Sequence, residues 1–324
     1  MSEALLWPIF GGIFVVAMVF DLFIFHRKAH VVPLREALKL VGFWVALALA
    51  FNGLIYFYLG HEKGVLFTTA YLIEYSLSVD NLFVFLAIFT YFAVPREAQR
   101  KVLLWSILGA VFLRAIFIFA GITLIERFHF VIYILGAFLI YTAIKLMTQK
   151  EIEVEPEKNP IVRFARKIIP VAQEYDGASF FKRNKGVLFA TPLIIALIAI
   201  ATMDIMFAVD SVPAVLAVTT DPLIVYSSNM FAILGLRALF FALAGLFYLF
   251  RYLSTGVCIV LAFVGLKMLT ADLLVHFFNY HLPVTISLGV VIAILAGSVV
   301  LSIFLPKKEE TPALGNPPEK EKKK

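Results

Sequence analysis

Long apolar runs separated by short polar stretches make up most of the chain. Nine can be drawn, at roughly 5–25, 38–59, 66–92, 102–124, 129–147, 187–218, 225–250, 255–275 and 283–305. A helix needs about 20 apolar residues to cross the ~30 Å hydrocarbon layer of a bilayer, and the runs are of that order. The sixth is too long for one straight span. Pro213 is its expected break point, because proline removes an amide donor inside a helix. The pattern predicts an all-α, polytopic transmembrane helical protein with about nine spans.

The polar positions inside these runs form a second pattern. The third run contains Glu74-Tyr75-Ser76-Leu77-Ser78-Val79-Asp80-Asn81, and the sixth contains Asp204-Ile205-Met206-Phe207-Ala208-Val209-Asp210-Ser211. Each copy reads acid, five residues, acid, small polar side chain. Leu113-Arg114-Ala115 in the fourth run is echoed by Leu236-Arg237-Ala238 in the seventh, and Ile144-Lys145-Leu146 in the fifth by Leu266-Lys267-Met268 in the eighth. The order acid motif, Arg, Lys therefore occurs twice on three consecutive spans, with Arg and Lys 31 residues apart in the first copy and 30 in the second. Three is odd, so the second unit must enter the membrane from the opposite side. We expect an inverted repeat of two three-helix units whose acid motifs meet near the midplane, an arrangement typical of secondary transporters.

The expected organisation is two peripheral spans (1–65), the first repeat (66–147), a cytoplasmic linker (148–186), the second repeat (187–276), a last span (277–305) and a disordered cytoplasmic tail (306–324). The linker, acidic at its start and basic at its end, reads as a solvated connection. Composition agrees with a membrane protein: 62% hydrophobic, 15% charged, mean hydropathy +0.94. The net charge of +6 sits in loops and tail, which argues against a nucleic-acid face. With the N-terminus outside, the 28 Lys and Arg fall on the cytoplasmic side apart from Lys63, Arg127 and the four within spans. That bias predicts an N-out, C-in protein, and the N-terminus, with Glu3 and no basic stretch before the first run, marks that run as a retained span. The single cysteine, Cys258, excludes disulfides within the chain.

Charge balance then points to chemistry. The embedded acids are Asp21, Glu74, Asp80, Asp204 and Asp210, against two mid-span bases, Arg114 and Arg237. Even on a lenient scale a charge at the bilayer centre costs roughly 2.5–3.5 kcal/mol, so the three unmatched acids must be protonated, solvated or bound to a cation. Positions seven apart on a helix share a face to within about 20°, which pairs Glu74 with Asn81 and Asp204 with Ser211. Asp80 and Asp210 join their partner acids only if the helices loosen between them, and we expect that loosening, since unwound carbonyls are cation ligands. The metal-ligand candidates are Glu74, Asp80, Asn81, Asp204, Asp210 and Ser211. Oxygen donors without thiol or imidazole suit hard cations: Mg, Ca or Mn above Zn or Cu. Arg114, Arg237, Lys267 and Asp21 are candidates for charge balance or gating, although Asp21 could equally cap its helix or pair with Arg27. Lys145 is expected to snorkel.

With Ser-Val-Asp80-Asn81-Leu-Phe-Val-Phe and Phe-Ala-Val-Asp210-Ser211-Val-Pro213-Ala in place, the sequence resembles the TerC family of integral membrane proteins over nearly its whole length, and within it the Alx-like manganese exporters. The resemblance implies divalent-metal efflux, chiefly of Mn2+, with no prosthetic group and no enzymatic activity. Its partners would be the metal ion as substrate and the lipid bilayer. One departure is Ala201, where the family pattern carries a Glu three residues before Asp204, so the ligand set differs there. A counter-proton is a natural companion for spare carboxylates. Two rivals stand beside transport. An intramembrane aspartyl protease needs two Asp on two spans, but its usual Tyr-Asp and Gly-x-Gly-Asp contexts are absent. A scaffold or assembly factor for other membrane or exported proteins would use the polar residues for helix packing.

Overall fold

The computed structural model describes residues 3–26, 33–128, 130–148, 156, 159–172, 174–184, 187–246, 252–278 and 283–304. Ten α-helices and one hairpin are found among them: α1 (Glu3–His26), α2 (Leu34–Leu59), α3 (His61–Tyr91), α4 (Arg96–Arg127), α5 (Val131–Thr148), α6 (Pro160–Ile168), β1 (Phe181–Asn184), β2 (Val187–Ala190), α7 (Pro192–Leu216), α8 (Pro222–Leu246), α9 (Leu253–Phe278) and α10 (Val284–Phe304). Eight helices are long and apolar enough to cross a membrane. The ninth expected span coincides with α8, whose apolar stretch covers Pro222–Leu236. The protein is a nearly all-α polytopic membrane protein.

Helix packing places α3 at the centre, against α8, α7, α2 and α10; α4 lies on α7 and α5 on α9. Exchanging α3 with α7, α4 with α8 and α5 with α9 converts the α3–α8 contact into the α4–α7 contact and leaves α5–α9 unchanged. Lipid offers apolar side chains no advantage in leaving it, so close backbone approach has to hold such helices together. Gly136 and Gly265 supply it where α5 crosses α9. A Cβ on Gly265 would stand 2.8 Å from the Gly136 carbonyl oxygen, and one on Gly136 would stand 3.1 Å from the Gly265 carbonyl oxygen. A second packing centre is an aromatic knot of Phe10, Phe51, Phe67 and Phe231, with ring centroids 5.1–6.4 Å apart, which ties α1, α2, α3 and α8 together.

Three expectations need correction. The run 187–218 is neither one span nor broken at Pro213: its first residues form β2, and α7 then runs unbroken from Pro192 to Leu216. Pro213 sits in the last turn, so only one backbone bond near the helix end is lost. The helices also do not loosen between the paired acids; α3 is continuous through Glu74 and Asp80, and α7 through Asp204 and Asp210. In a hydrocarbon environment an opened turn would strand backbone donors and acceptors, and keeping the helix closed avoids that cost. Finally, the segment 148–186 is not only a solvated connection. Asn159 caps α6 by accepting from the Ile161 and Val162 amides at 2.9 and 3.4 Å. The antiparallel hairpin β1–β2 pairs Phe181 with Ala190 and Arg183 with Leu188.

This folded cap is fastened to the helix ends. The Lys101 ammonium donates to the Ala178 carbonyl at 2.9 Å, and the Tyr175 hydroxyl donates to the Phe92 carbonyl in the tight α3–α4 turn. Burial pushes the Tyr175 phenol above its ordinary value, so it stays protonated and donating at neutral pH. The tail 306–324 lies outside the described residues.

Candidate functional site

Glu74 lies near the middle of α3 and is fully buried. Its carboxylate forms an ion pair with the Arg114 guanidinium of α4, itself buried. The same guanidinium donates to Asn229 Oδ1 of α8 at 3.5 Å and stands within electrostatic reach of Asp204 on α7. Four helices from both halves of the chain thus meet around one cation. Asp204 is buried, and its Oδ2 has no hydrogen-bond partner among the described residues. Arg114 and Asp204 line a small cavity of about 10 Å³ together with Asn81, Ser106, Ile233 and Leu236, which is room for about one water-sized particle.

The electrostatics of this cluster are unbalanced. Two carboxylates face one guanidinium, and all three side chains are buried. A buried pair gains from attraction only when its geometry and hydrogen bonds repay the desolvation of both ions. Here Glu74 is paired with Arg114 through Oε1, and its Oε2, like Asp204 Oδ2, has no hydrogen-bond partner among the described residues. The donors around the cavity are carboxylate, amide and hydroxyl oxygens, the set that hard cations take. No group of three or more His, Cys, Asp or Glu that could hold a metal is found among the described residues, so a cation here would take amide or hydroxyl oxygens beside the carboxylates.

The sequence-derived residues do not all converge. Glu74, Asn81, Asp204 and Arg114 come together. Asp210 does not line that cavity: it is half-buried, accepts from Thr142 Oγ1 of α5 at 3.4 Å, and lies within electrostatic reach of Lys145. It lies six positions beyond Asp204 along α7, about 9 Å of helix. Ser211 is buried beside it, its hydroxyl without a partner among the described residues. Asp80 and Arg237 sit on α3 and α8, and their side chains lie outside what the structure describes. Asp21 is buried on α1, and Lys267 is partly buried on α9; neither lines the cavity. Lys145 is exposed, as snorkelling requires.

Asn229, Ser106 and Thr142 were not singled out from the sequence. The repeat contained the signal for the first two. Ser106 lies eight residues before Arg114, and Asn229 lies eight residues before Arg237. They are equivalent positions in the two units, and both border the site.

Comparisons with known proteins agree with this architecture. The chain is 46% identical over 306 residues to an uncharacterized membrane protein of Myxococcus xanthus, covering 94% of both chains. It is 42% identical over 314 residues to Alx of Escherichia coli (strain K12), a protein named for a proposed role as a membrane-bound redox modulator, covering 94% of this chain and 96% of that one. It is 41% identical over 269 residues to the chloroplastic thylakoid membrane protein TERC of Arabidopsis thaliana, covering 83% of this chain and 69% of the relative. No solved structure matches. The model of the integral membrane protein TerC family matches residues 59–310, which take in every helix of the buried cluster, and the chain belongs to the TerC family.

Proposed function

We propose that this protein exports a hard divalent cation, chiefly Mn2+, across a bacterial inner membrane, and that Glu74, Asp204 and Arg114 form the gate of its ion path. The observation that carries this reading is the buried Glu74–Arg114–Asp204 cluster, two acids to one base beside a cavity of ion size. In the metal-free protein the guanidinium acts as a tethered cation that neutralises one carboxylate. An entering ion competes for the same oxygens and drives Arg114 toward Asn229. The energetic logic is that one guanidinium can neutralise only one of the two buried carboxylates, whereas a divalent ion neutralises both.

Asp210 is the next station. It lies farther along α7 than Asp204 and is half-buried, with Ser211 and Thr142 as neighbouring oxygen donors. With the N-terminus outside and the C-terminus cytoplasmic, as the positive-charge bias indicates, α7 runs outward, so an ion passing from Asp204 to Asp210 leaves the cell. Asp80, at the equivalent position of the first unit, would serve the cytoplasmic approach. The exchange symmetry of the helix contacts supports an inverted repeat, because a pseudo-two-fold relation would generate it.

The name of the Alx relatives raises redox modulation as a second reading. The only thiol here, Cys258, is buried and has no second cysteine to pair with, which gives that reading little chemistry within the chain. Transport is tested in everted membrane vesicles carrying a manganese-sensitive dye. Wild-type protein should move Mn2+ into the vesicles, and Asp204→Asn should abolish the flux while the protein still accumulates. Undiminished flux in that variant would overturn the site. A scaffold would tolerate the substitution and show its defect in misassembled clients.

A further inference from the structure

The nine-residue helix α6 has three faces. Val162 and Ala165 are buried, with α6 packed on α7. Ile161, Phe164 and Ile168, spaced three and four apart and therefore on one side of the helix, are 47%, 65% and 62% exposed. Arg163, Arg166 and Lys167 occupy the third side and are exposed as well. The hairpin repeats the combination. Phe181 and Arg183 alternate onto one face, and Leu188 pairs with Arg183 across the ladder. Phe181 is 51% exposed and Leu188 59%. Large apolar side chains gathered in this way, bordered by cations, are unusual against water.

The position of these faces identifies what covers them. The cap is joined to the ends of membrane spans: Ala190 pairs with Pro170 and Ala172 just before α7 begins, the Tyr175 hydroxyl reaches the α3–α4 turn, and the Arg166 guanidinium lies over the Phe92 ring at 6.0 Å. A cleft of about 560 Å³ opens between the end of α6 and the start of α7, lined by Arg166, Lys167, Pro170, Pro192 and Ile195. Among the described residues of the cap the acids are Glu174 and Asp176, both outside α6, and Glu174 is paired with Lys182 at 3.6 Å. The α6 surface is therefore apolar and cationic at the level where a span leaves the bilayer.

We propose that this cap is an interfacial anchor for anionic phospholipid: α6 sinks Ile161, Phe164 and Ile168 below the headgroups, and the Arg166–Lys167 cleft receives a lipid phosphate. A short helix with an apolar side and basic residues on its polar side binds such surfaces through buried apolar area plus attraction to negative headgroups. The inference is independent of what the membrane-embedded cluster transports.

The test uses the full chain with Cys258→Ser and a spin label at Phe164→Cys, reconstituted in nanodiscs. In discs containing phosphatidylglycerol, dissolved oxygen should relax the label more effectively than a water-soluble nickel chelate. That preference should be lost in pure phosphatidylcholine discs and in the Arg163→Gln/Arg166→Gln/Lys167→Gln variant. Should the Cys258→Ser chain not fold, the quenching by brominated phosphatidylglycerol that Phe164→Trp adds over the parent chain, whose three native tryptophans set the baseline, gives the same readout. A label accessible mainly to nickel in anionic discs overturns the proposal. So does an oxygen preference that ignores lipid charge, one that inorganic phosphate restores in phosphatidylcholine discs, or spin–spin broadening that reveals a second copy on this face.

Discussion

Arg114 is the residue on which the buried cluster depends. Removing one partner of a buried ion pair leaves an uncompensated charge and typically costs 3–5 kcal/mol. Arg114→Ala should therefore lower thermal stability by an amount of that order in a detergent melt. If an ion and the guanidinium compete for the same carboxylates, Mn2+ should raise the midpoint of Arg114→Ala more than that of the wild type. An equal or smaller shift would show that the arginine does not occupy the ion's place. Asp210 makes a different prediction because it stands outside the Arg114 cavity, with Thr142 and Lys145 beside it. Asp210→Asn should reduce Mn2+ flux in vesicles while leaving Mn2+ binding by the purified protein near wild type; loss of both would place Asp210 in the first binding site. These residues were legible to different degrees. Glu74 and Asp204 stood out because carboxylates in apolar runs are rare, and Arg114 because it is one of two mid-span bases and recurs as Arg237 in the repeat. Asn229 and Ser106 are uncharged and common in helices, so only their shared offset from the arginines marked them. That Asp210 turns toward α5 and away from Asp204 could not be read, because it depends on α7 staying helical where loosening was expected.

At the scale of elements, the spans were legible because their apolar runs match the thickness of a bilayer. Their ends were less so. The run beginning at Val187 is apolar for two unrelated reasons: its first residues form a strand of the cap, and the rest is a membrane helix. Hydrophobicity alone does not distinguish these. The α5–α9 crossing rests on two glycines, and Gly265→Val would force a side chain against the Gly136 backbone. Overpacking of this kind costs typically 1–3 kcal/mol, and the variant should show a lowered melting midpoint, whereas Gly289→Ala, with open space around it, should melt as wild type. The attachment of the cap makes a separate prediction. Tyr175→Phe removes the bond to the Phe92 carbonyl, worth about 1 kcal/mol, and should speed amide hydrogen exchange in the hairpin without altering exchange in α3. Unchanged exchange would mean that the cap's other attachments, Lys101 to Ala178 and Arg166 over Phe92 among them, hold it without this bond.

For the whole molecule, the two repeated units, the ion path and the orientation are one connected proposal. Thiol labelling checks the orientation directly in whole cells. A cysteine at Asp176, exposed on the cap, should react with a membrane-impermeant maleimide only after permeabilisation, and one at Glu62, at the opposite end of α3, should react without it. The reverse pattern would turn export into uptake along the same path. The proposed export path requires that Glu74 and Asp204, which stand about the Arg114 guanidinium, both give oxygens to an entering metal. The most direct measurement is anomalous diffraction at the manganese edge from crystals of the protein soaked in Mn2+. The account predicts a peak between the Glu74 and Asp204 carboxylates, with the Arg114 side chain moved off them toward Asn229. A peak at a site that excludes both acids, or saturating Mn2+ with Arg114 still paired to Glu74 and no peak beside it, would contradict it.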